Sequence, residues 1–207
     1  MRISITDPRI ISIAVKEFKK GSIIVFPTDT SYGLGTIGLK WNDENVRRIY
    51  EIKSRSVDNP LSLLITKGMI SRYVVLLPQI EEILAKYWPG GFTAVFTCET
   101  EESLALSSYL NLKNPQKIAF RVPNHKILLK IIEKLNSPII GTSANKSGSK
   151  PNYDLHSIRQ EFYEDTIHLW IDGGRLTEIP PSTVVDLTDP YNPILLRKGN
   201  VVFEINL

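Results

Sequence analysis

The sequence lacks several features that mark extracellular, membrane-spanning and metal-containing proteins. Its 207 residues include one cysteine, Cys98, so no disulfide can form within the chain. No run approaches the ~18 apolar residues of a membrane-spanning helix. Residues 1–13 lack the basic start and unbroken apolar stretch of a signal peptide. These absences predict a cytoplasmic protein without a membrane partner.

Motifs for metals and for the usual mode of ATP binding are also missing. His125, His156 and His168 lack metal-ligand spacing, and a single cysteine cannot supply a zinc framework. No Walker A sequence occurs, so a bound nucleotide would be held in another way. The formal net charge of +3 suits phosphate-bearing ligands, but it is too small to mark a dedicated nucleic-acid binder.

Alternating helix and strand patterns predict a single α/β domain. Apolar residues at helical spacing predict helices over residues 10–18, 42–50, 78–88, 124–135 and 155–162, with Asn42 and Asn124 as caps. Short β-branched runs predict strands over residues 22–26, 61–65, 92–98, 117–122, 139–140, 167–171, 183–187 and 194–196. Three of these runs follow one another near the end, so we expect a mixed rather than an all-parallel sheet.

Two polar segments follow predicted strands directly. Residues 27–35 come after the first predicted strand, and residues 141–148 come after the strand at 139–140. Both combine glycine with small hydroxyl residues, and loops at strand ends are where open α/β sheets bind ligands. Glycine lets backbone N–H groups approach phosphate oxygens. The same residue types also form ordinary turns, so the sequence allows both a ligand-binding loop and a simple turn at these positions.

Four cations are candidates for holding an anion. Lys53 and Arg55 follow the second predicted helix, where a helix C-terminus alone accounts for a cation with ~0.3–1 kcal/mol of stabilisation. Arg121 and Arg197 each end an apolar run. An arginine at a strand end is suited to a bidentate grip on phosphate or carboxylate.

Two short motifs suggest other functions. Gly33, Gly35 and Gly38 spell the dinucleotide-binding pattern GxGxxG, but the next predicted helix starts too late for those glycines to open it. The segment 141–145 resembles a nucleophile elbow around Ser143. A serine hydrolase, with His156 or His168 as the base, is therefore an alternative hypothesis.

With these segments together, the sequence resembles the YrdC/Sua5 family, the threonylcarbamoyl-AMP synthases of tRNA modification. The resemblance covers about residues 14–199. Its ordered motifs are PTDTSYGLG at 27–35, KSR at 53–55, NPL at 59–61, WPG at 88–90, RVP at 121–123, TSAN at 142–145 with SG at 147–148, STVVD at 182–186, and RKG at 197–199. Ser56 departs from the proline of many members, and Leu64 from the histidine of some longer ones.

The resemblance implies a twisted mixed sheet with flanking helices around a large concave basic cavity. It also implies one YrdC-like domain over residues 1–207, with its core at about 14–199 and no C-terminal domain of the longer Sua5 type. The implied nucleotidyltransferase reaction joins ATP, bicarbonate and L-threonine into L-threonylcarbamoyl-AMP and pyrophosphate. By the same resemblance, the product would serve the modification of tRNA adenosine 37. Binding of double-stranded RNA in the same concavity, without chemistry, is a second alternative.

The partners and site residues follow from the same resemblance. Mg²⁺ is expected with ATP, separate proteins would transfer the threonylcarbamoyl group, and tRNA or double-stranded RNA is a further candidate partner. The expected ATP-binding residues are Lys53, Arg55, Asn59, Ser143, Asn145 and Arg197, with Lys53 and Arg55 as the catalytic pair. The expected threonine-binding residues are Thr30, Tyr32, Arg121, Thr142 and Ser182.

Overall fold

A computed structural model describes residues 1–39, 43–57, 59–110, 114 and 116–204. Within this part of the chain, ten strands form one sheet. They are β1 (Arg2–Ser4), β2 (Ile24–Pro27), β3 (Tyr32–Ile37), β4 (Ser62–Leu64), β5 (Phe92–Thr97), β6 (Lys117–Arg121), β7 (Ile139–Ser143), β8 (Leu169–Asp172), β9 (Thr183–Asp186) and β10 (Ile194–Arg197). The strand order is β1-β8-β2-β3-β7-β4-β6-β5-β9-β10.

The pairing directions confirm the predicted mixed sheet. The pairs β1–β8, β2–β8, β4–β6 and β5–β9 are parallel. The pairs β2–β3, β3–β7, β4–β7, β5–β6 and β9–β10 are antiparallel. The prediction of a single α/β domain with flanking helices is also confirmed.

The described helices are α1 (Ile10–Lys19), α2 (Asp43–Ile52), α3 (Pro78–Tyr87), α4 (Glu101–Leu110), α5 (Lys126–Leu135) and α6 (Leu155–Glu161). Short 3₁₀ turns cover Lys67–Arg72 and Glu164–Thr166. In α1, α3 and α5 the apolar residues recur at three- and four-residue spacing, which gives each of these helices one buried face. In α5 this buried face is Leu128, Ile131, Ile132 and Leu135. No helix of the described residues is long and apolar enough to cross a membrane.

One predicted helix cap was wrong, one helix was not predicted, and one predicted cap cannot be compared. Helix α5 is capped by His125, not by Asn124, because the His125 Nδ1 accepts a hydrogen bond from the Leu128 N–H. Helix α4 was not predicted, because its small and polar residues give a weak apolar pattern. Thr100, just before this helix, binds its first turn: the Thr100 Oγ1 accepts a hydrogen bond from the Ser103 N–H at 3.1 Å. The predicted cap Asn42 lies outside the described residues.

Each polar segment is part strand rather than loop throughout. Residues 32–37 form β3, and β7 continues through Gly141 and Thr142 to Ser143. The two strands pair antiparallel, with Gly35 opposite Gly141. A Cβ at Gly35 would lie 2.0 Å from the Ile140 carbonyl oxygen, so the close approach of these strands requires glycine. The central glycine of the GxGxxG pattern, Gly35, therefore serves strand packing.

Candidate active site

One cavity of about 350 Å³ gathers residues from distant parts of the sequence. Eight of the eleven predicted site residues line it: Thr30, Tyr32, Arg55, Arg121, Thr142, Ser143, Ser182 and Arg197. Lys53, Asn59 and Asn145 are not among its lining residues. Apolar side chains that include Phe26, Leu64 and Leu196 complete the walls.

The strand order shows that the sheet curves around this cavity. Phe26 of β2 and Arg197 of β10 both line it, although these strands hold the third and tenth positions of the sheet. Seven strand spacings would separate them by roughly 34 Å in a flat sheet. Both strands can border a single cavity of this size only if the sheet is concave.

Arg121, at the end of β6, is 7% exposed, and its guanidinium donates three hydrogen bonds. Its Nη2 donates to the Asp29 carboxylate at 2.7 Å, its Nη1 to the Thr30 hydroxyl at 3.0 Å, and its Nε to the Gly90 carbonyl at 2.9 Å. Burial lowers the pKa of Arg121, and the Asp29 charge opposes this effect. The guanidinium is thus held in one orientation at the cavity wall.

Arg55 binds the chain that follows it. Its Nε donates to the Asn59 carbonyl at 2.8 Å, and its Nη2 donates to the Pro60 carbonyl at 3.2 Å. Asn59 is exposed and takes part through its backbone, which orients Arg55 toward the cavity. Both acceptors are neutral, so the positive charge of Arg55 is not offset by these contacts.

Arg197 reaches the cavity from the other side. Strand β10 has an irregularity between Leu195 and Arg197, and the residue left between them, Leu196, lines the cavity together with Arg197. The Arg197 Nη2 donates to the Ser182 carbonyl at 2.9 Å and to the Ser182 hydroxyl at 3.0 Å. The Ser182 hydroxyl lies 2.9 Å from that of Thr93, so two neighbouring hydroxyls face the same space.

The three arginines are close enough to affect one another electrostatically. Desolvation lowers the pKa of Arg197, and the positive charges of Arg55 and Arg121 lower it further. Desolvation also lowers the pKa of Arg55. Like charges gathered in a partly desolvated cavity favour an anionic ligand, because the anion relieves their repulsion.

Lys53 lies behind the cavity rather than in its wall. The residue is 1% exposed, and its ammonium donates to the backbone carbonyls of Ser143 and Asn145. Desolvation lowers the pKa of Lys53 to about 8; Arg55 lowers it as well, whereas Glu161 raises it. Lys53 therefore fastens the end of α2 to the turn that follows β7.

Asn145 is also turned into the protein. Its Nδ2 donates to the carbonyls of Lys146 and Ser149 at 2.9 and 2.8 Å. Its buried Oδ1 accepts no hydrogen bond within the described part of the chain. These contacts shape the turn next to Ser143, whose side chain borders the cavity.

The Tyr32 hydroxyl is occupied by a neighbouring turn. It donates to the Gly174 carbonyl at 2.7 Å and accepts from the Gly173 N–H at 2.9 Å. Burial raises the pKa of Tyr32 to about 12, despite the opposing effect of the Gly173 hydrogen bond. In this arrangement Tyr32 joins β3 to the turn after β8, beside the cavity.

Sequence reasoning missed several residues that the structure brings to this site. Thr28, Ser31, Ser62 and Thr93 line the cavity with further hydroxyls, and Asp29 holds Arg121. Thr28, Asp29 and Ser31 lie inside the PTDTSYGLG motif, which was a usable signal. Ser62 and Thr93 sit within or beside ordinary strand patterns, and only the folded sheet reveals them.

The serine hydrolase hypothesis finds no support in the geometry. Of the histidines, all of which are described, none lines the cavity. His168 accepts from the Ile23 N–H, and His156 lies 3.1 Å from the Gln160 amide on α6. Ser143 thus has no histidine base at the cavity. The described residues also contain no cluster of three or more His, Cys, Asp or Glu side chains that could hold a metal ion.

Comparison with known proteins gives a consistent result. A curated relative from Pyrococcus abyssi, named threonylcarbamoyl-AMP synthase, is 38% identical over 94% of this chain and 55% of its own length. The crystal structure of P. abyssi Sua5 complexed with L-threonine aligns with a TM-score of 0.80 at 33% identity, covering 96% of this chain and 57% of that one. The chain thus spans just over half the length of these relatives.

A second solved structure is nearly equal in length to this chain. Escherichia coli YciO aligns with a TM-score of 0.82 at 28% identity, covering 96% of this chain and 94% of its own. The family model Sua5/YciO/YrdC, described as "Telomere recombination", matches residues 16–199. This match includes every predicted site residue, and it confirms the resemblance drawn from the sequence motifs. The chain belongs to the Sua5/YciO/YrdC family.

Proposed function

We propose that this chain is a nucleotidyltransferase that forms L-threonylcarbamoyl-AMP and pyrophosphate from ATP, bicarbonate and L-threonine. The observation that carries the proposal is the convergence of Arg55, Arg121 and Arg197 on one cavity rich in hydroxyl groups. Relatives named threonylcarbamoyl-AMP synthase and the threonine complex of P. abyssi Sua5 support the same function.

The three arginines have separate roles in this proposal. Arg55 and Arg197 bind the triphosphate, because their contacts are neutral carbonyl and hydroxyl groups that leave their charges free for phosphate. Arg121 binds the threonine carboxylate, since its fixed guanidinium still has N–H donors beyond those bound to Asp29, Thr30 and Gly90. The hydroxyls of Thr30, Thr142 and Ser182 complete the threonine pocket.

The remaining predicted residues act around the nucleotide. Ser143 contacts ATP from the cavity wall. Asn59 acts through its backbone carbonyl, which holds Arg55, and Asn145 shapes the turn beside Ser143. Lys53 stays a predicted catalytic residue. We propose that it acts by its charge and by fixing the Ser143 carbonyl, given that its ammonium is bound to backbone in the structure.

The chemistry proceeds in two steps. The threonine amine forms a C–N bond with bicarbonate and water leaves, which gives N-carboxythreonine. An oxygen of the new carbamate group, not of the threonine carboxylate, then attacks the ATP α-phosphorus, and the bond to pyrophosphate breaks. Negative charge develops on the α-phosphoryl and leaving oxygens, where Arg55 and Arg197 stabilise it. A cavity that holds the three substrates in contact also lowers the entropic part of the barrier.

Mg²⁺ enters this proposal as part of the substrate MgATP. No carboxylate lines the cavity among the described residues, so the phosphates rather than the protein would supply the charged oxygens for the ion. When bound there, Mg²⁺ neutralises phosphate charge. We further propose that the reaction takes place in the cytoplasm, that separate proteins transfer the product to tRNA, and that tRNA or double-stranded RNA is an additional partner.

A co-substrate omission series tests the function. Purified protein with MgATP, bicarbonate and threonine is expected to release pyrophosphate and to yield an adenylate with the mass of threonylcarbamoyl-AMP. Leaving out either threonine or bicarbonate is expected to abolish that mass. A chain that makes no adenylate with all substrates present would contradict the proposal. A covalent adduct of Ser143 with a serine-directed fluorophosphonate would instead favour the hydrolase.

A further inference from the structure

The cations of the cavity differ in how their charge is balanced. Arg121 has a carboxylate partner, Asp29, at 2.7 Å, and the two side chains are only 8% and 14% exposed. Arg55 and Arg197 donate to carbonyls and to one hydroxyl, and neither forms an ion pair with any carboxylate of the described residues. Uncompensated positive charge is therefore confined to the Arg55 and Arg197 side.

Asp29 itself does not line the cavity, although Thr28, Thr30 and Ser31 on either side of it do. Asp29 holds the Arg121 Nη2, and Arg121 is the member of this pair that lines the cavity. A buried arginine without this partner would carry a full, poorly solvated charge at the cavity wall. Such a charge would attract any small anion, phosphate included, as strongly as a carboxylate.

We propose that Asp29 is a positioning and specificity residue that prevents phosphate from occupying the threonine subsite. By offsetting the Arg121 charge, it leaves a site suited to the single carboxylate of an amino acid. The polyanionic triphosphate is directed to Arg55 and Arg197. This inference rests on the proposed function, because it assigns threonine to Arg121.

The role of Asp29 as an orienting group is separable from its role as a charge. The variant Asp29→Asn keeps an oxygen that can accept from the Arg121 Nη2, so the orientation is retained while the negative charge is lost. If the charge matters, the variant gains affinity for anions at the threonine subsite. If Asp29 serves only to hold the structure, the variant binds every ligand equally or less well.

The test uses sulfate as a probe in calorimetric titrations of the full chain. In Asp29→Asn, sulfate is expected to bind about tenfold more tightly than in the wild type and to compete with threonine, while ATP affinity changes less than about threefold. The matched control Asp7→Asn removes an aspartate that pairs with Arg9 on the surface, and it is expected to behave as wild type. Unchanged sulfate affinity in Asp29→Asn, or loss of threonine binding without a gain in sulfate binding, overturns the proposal.

A second comparison keeps the proposal testable if Asp29→Asn does not fold. Arg121→Gln alone leaves Asp29 as an unpaired negative charge and is expected to weaken ATP binding about two- to threefold, whereas Arg121→Gln with Asp29→Asn restores it. Failure of the double variant to restore ATP binding overturns the charge role. Wild-type protein that binds ATP but neither binds nor uses threonine contradicts the proposed function instead, while the sulfate and ATP comparisons still decide the role of Asp29.

Discussion

Arg197 and Ser182 are joined by three hydrogen bonds. The guanidinium donates to the Ser182 carbonyl through Nε at 3.1 Å and Nη2 at 2.9 Å, and Nη2 also donates to the hydroxyl at 3.0 Å. The contact ties the end of β10 to the residue before β9. It also places a cation and a hydroxyl side by side at the cavity, where the nucleotide and threonine subsites of our proposal meet.

The substitution Arg197→Lys keeps the charge but removes the planar fork, since an ammonium cannot make the same set of bonds. We expect kcat/KM for ATP to fall about 10- to 100-fold in a pyrophosphate-release assay. The control is Lys198→Ala, which changes a neighbouring exposed residue, and its kcat/KM for ATP is expected to stay near that of the wild type. Full activity of Arg197→Lys would show that charge alone suffices at this position.

Arg55→Ala removes a cation whose contacts leave its charge free for phosphate. We expect kcat/KM for ATP to fall at least about 100-fold, because the group stabilises charge that grows in the transition state. The control Arg48→Ala removes an exposed arginine of α2. Thermal unfolding of both variants checks that the fold persists, and a similar loss of activity in both would point to a general effect of charge.

The buried Lys53 predicts a pH dependence of stability. Its pKa is about 8 in the folded protein against 10.5 for a free lysine, mainly because burial disfavours the ammonium. Between these pH values the unfolded chain binds more protons, so this group makes the folded state more stable as the pH rises. The free energy of unfolding of wild type relative to Lys53→Met is expected to increase by up to about 3 kcal/mol from pH 8 to 10.5.

Urea titrations across that pH range measure this difference. The control Lys16→Met replaces an exposed lysine of α1. Its free energy of unfolding is expected to change with pH in the same way as that of the wild type. Parallel curves for Lys53→Met as well would mean that Lys53 titrates at its ordinary pKa in the folded protein.

Gly35→Ala tests the close contact between β3 and β7. The added Cβ would meet the Ile140 carbonyl oxygen at 2.0 Å, so the strands must separate. We expect a loss of about 1–3 kcal/mol in the free energy of unfolding, as for other overpacked sites. Gly68→Ala adds a methyl group where no atom lies within 4 Å, and it is expected to change stability by less than about 0.5 kcal/mol. Equal stability of both variants would contradict the packing argument.

The sequence was sufficient to predict the helices and strands whose apolar residues recur at a clear period. Helix α5 was predicted because its buried residues recur at helical spacing, and β5 because its residues are apolar and β-branched. Strand β3 was missed because Tyr32–Ile37 contains glycines and a threonine that are typical of turns. Only its pairing with β2 and β7 makes these residues a strand.

The candidate site was predictable where a polar residue interrupts an apolar run. Arg121 and Arg197 were found in this way. The partnership of Arg121 with Asp29 was not, because it joins residues 92 positions apart that only the curved sheet brings together. The burial of Lys53 was equally hidden, since its sequence neighbours are polar and its carbonyl partners lie about 90 residues away.

Strand β10 ends the sheet and is hydrogen-bonded to one neighbour, β9. All four of its residues are exposed, yet it brings Leu196 and Arg197 to the cavity. The cavity wall at β10 is thus held by backbone hydrogen bonds to one strand only. In the opposite wall, β3 and β7 are each hydrogen-bonded to a strand on both sides. We therefore expect amide hydrogens of β10 to exchange with solvent sooner than those of β3 and β7.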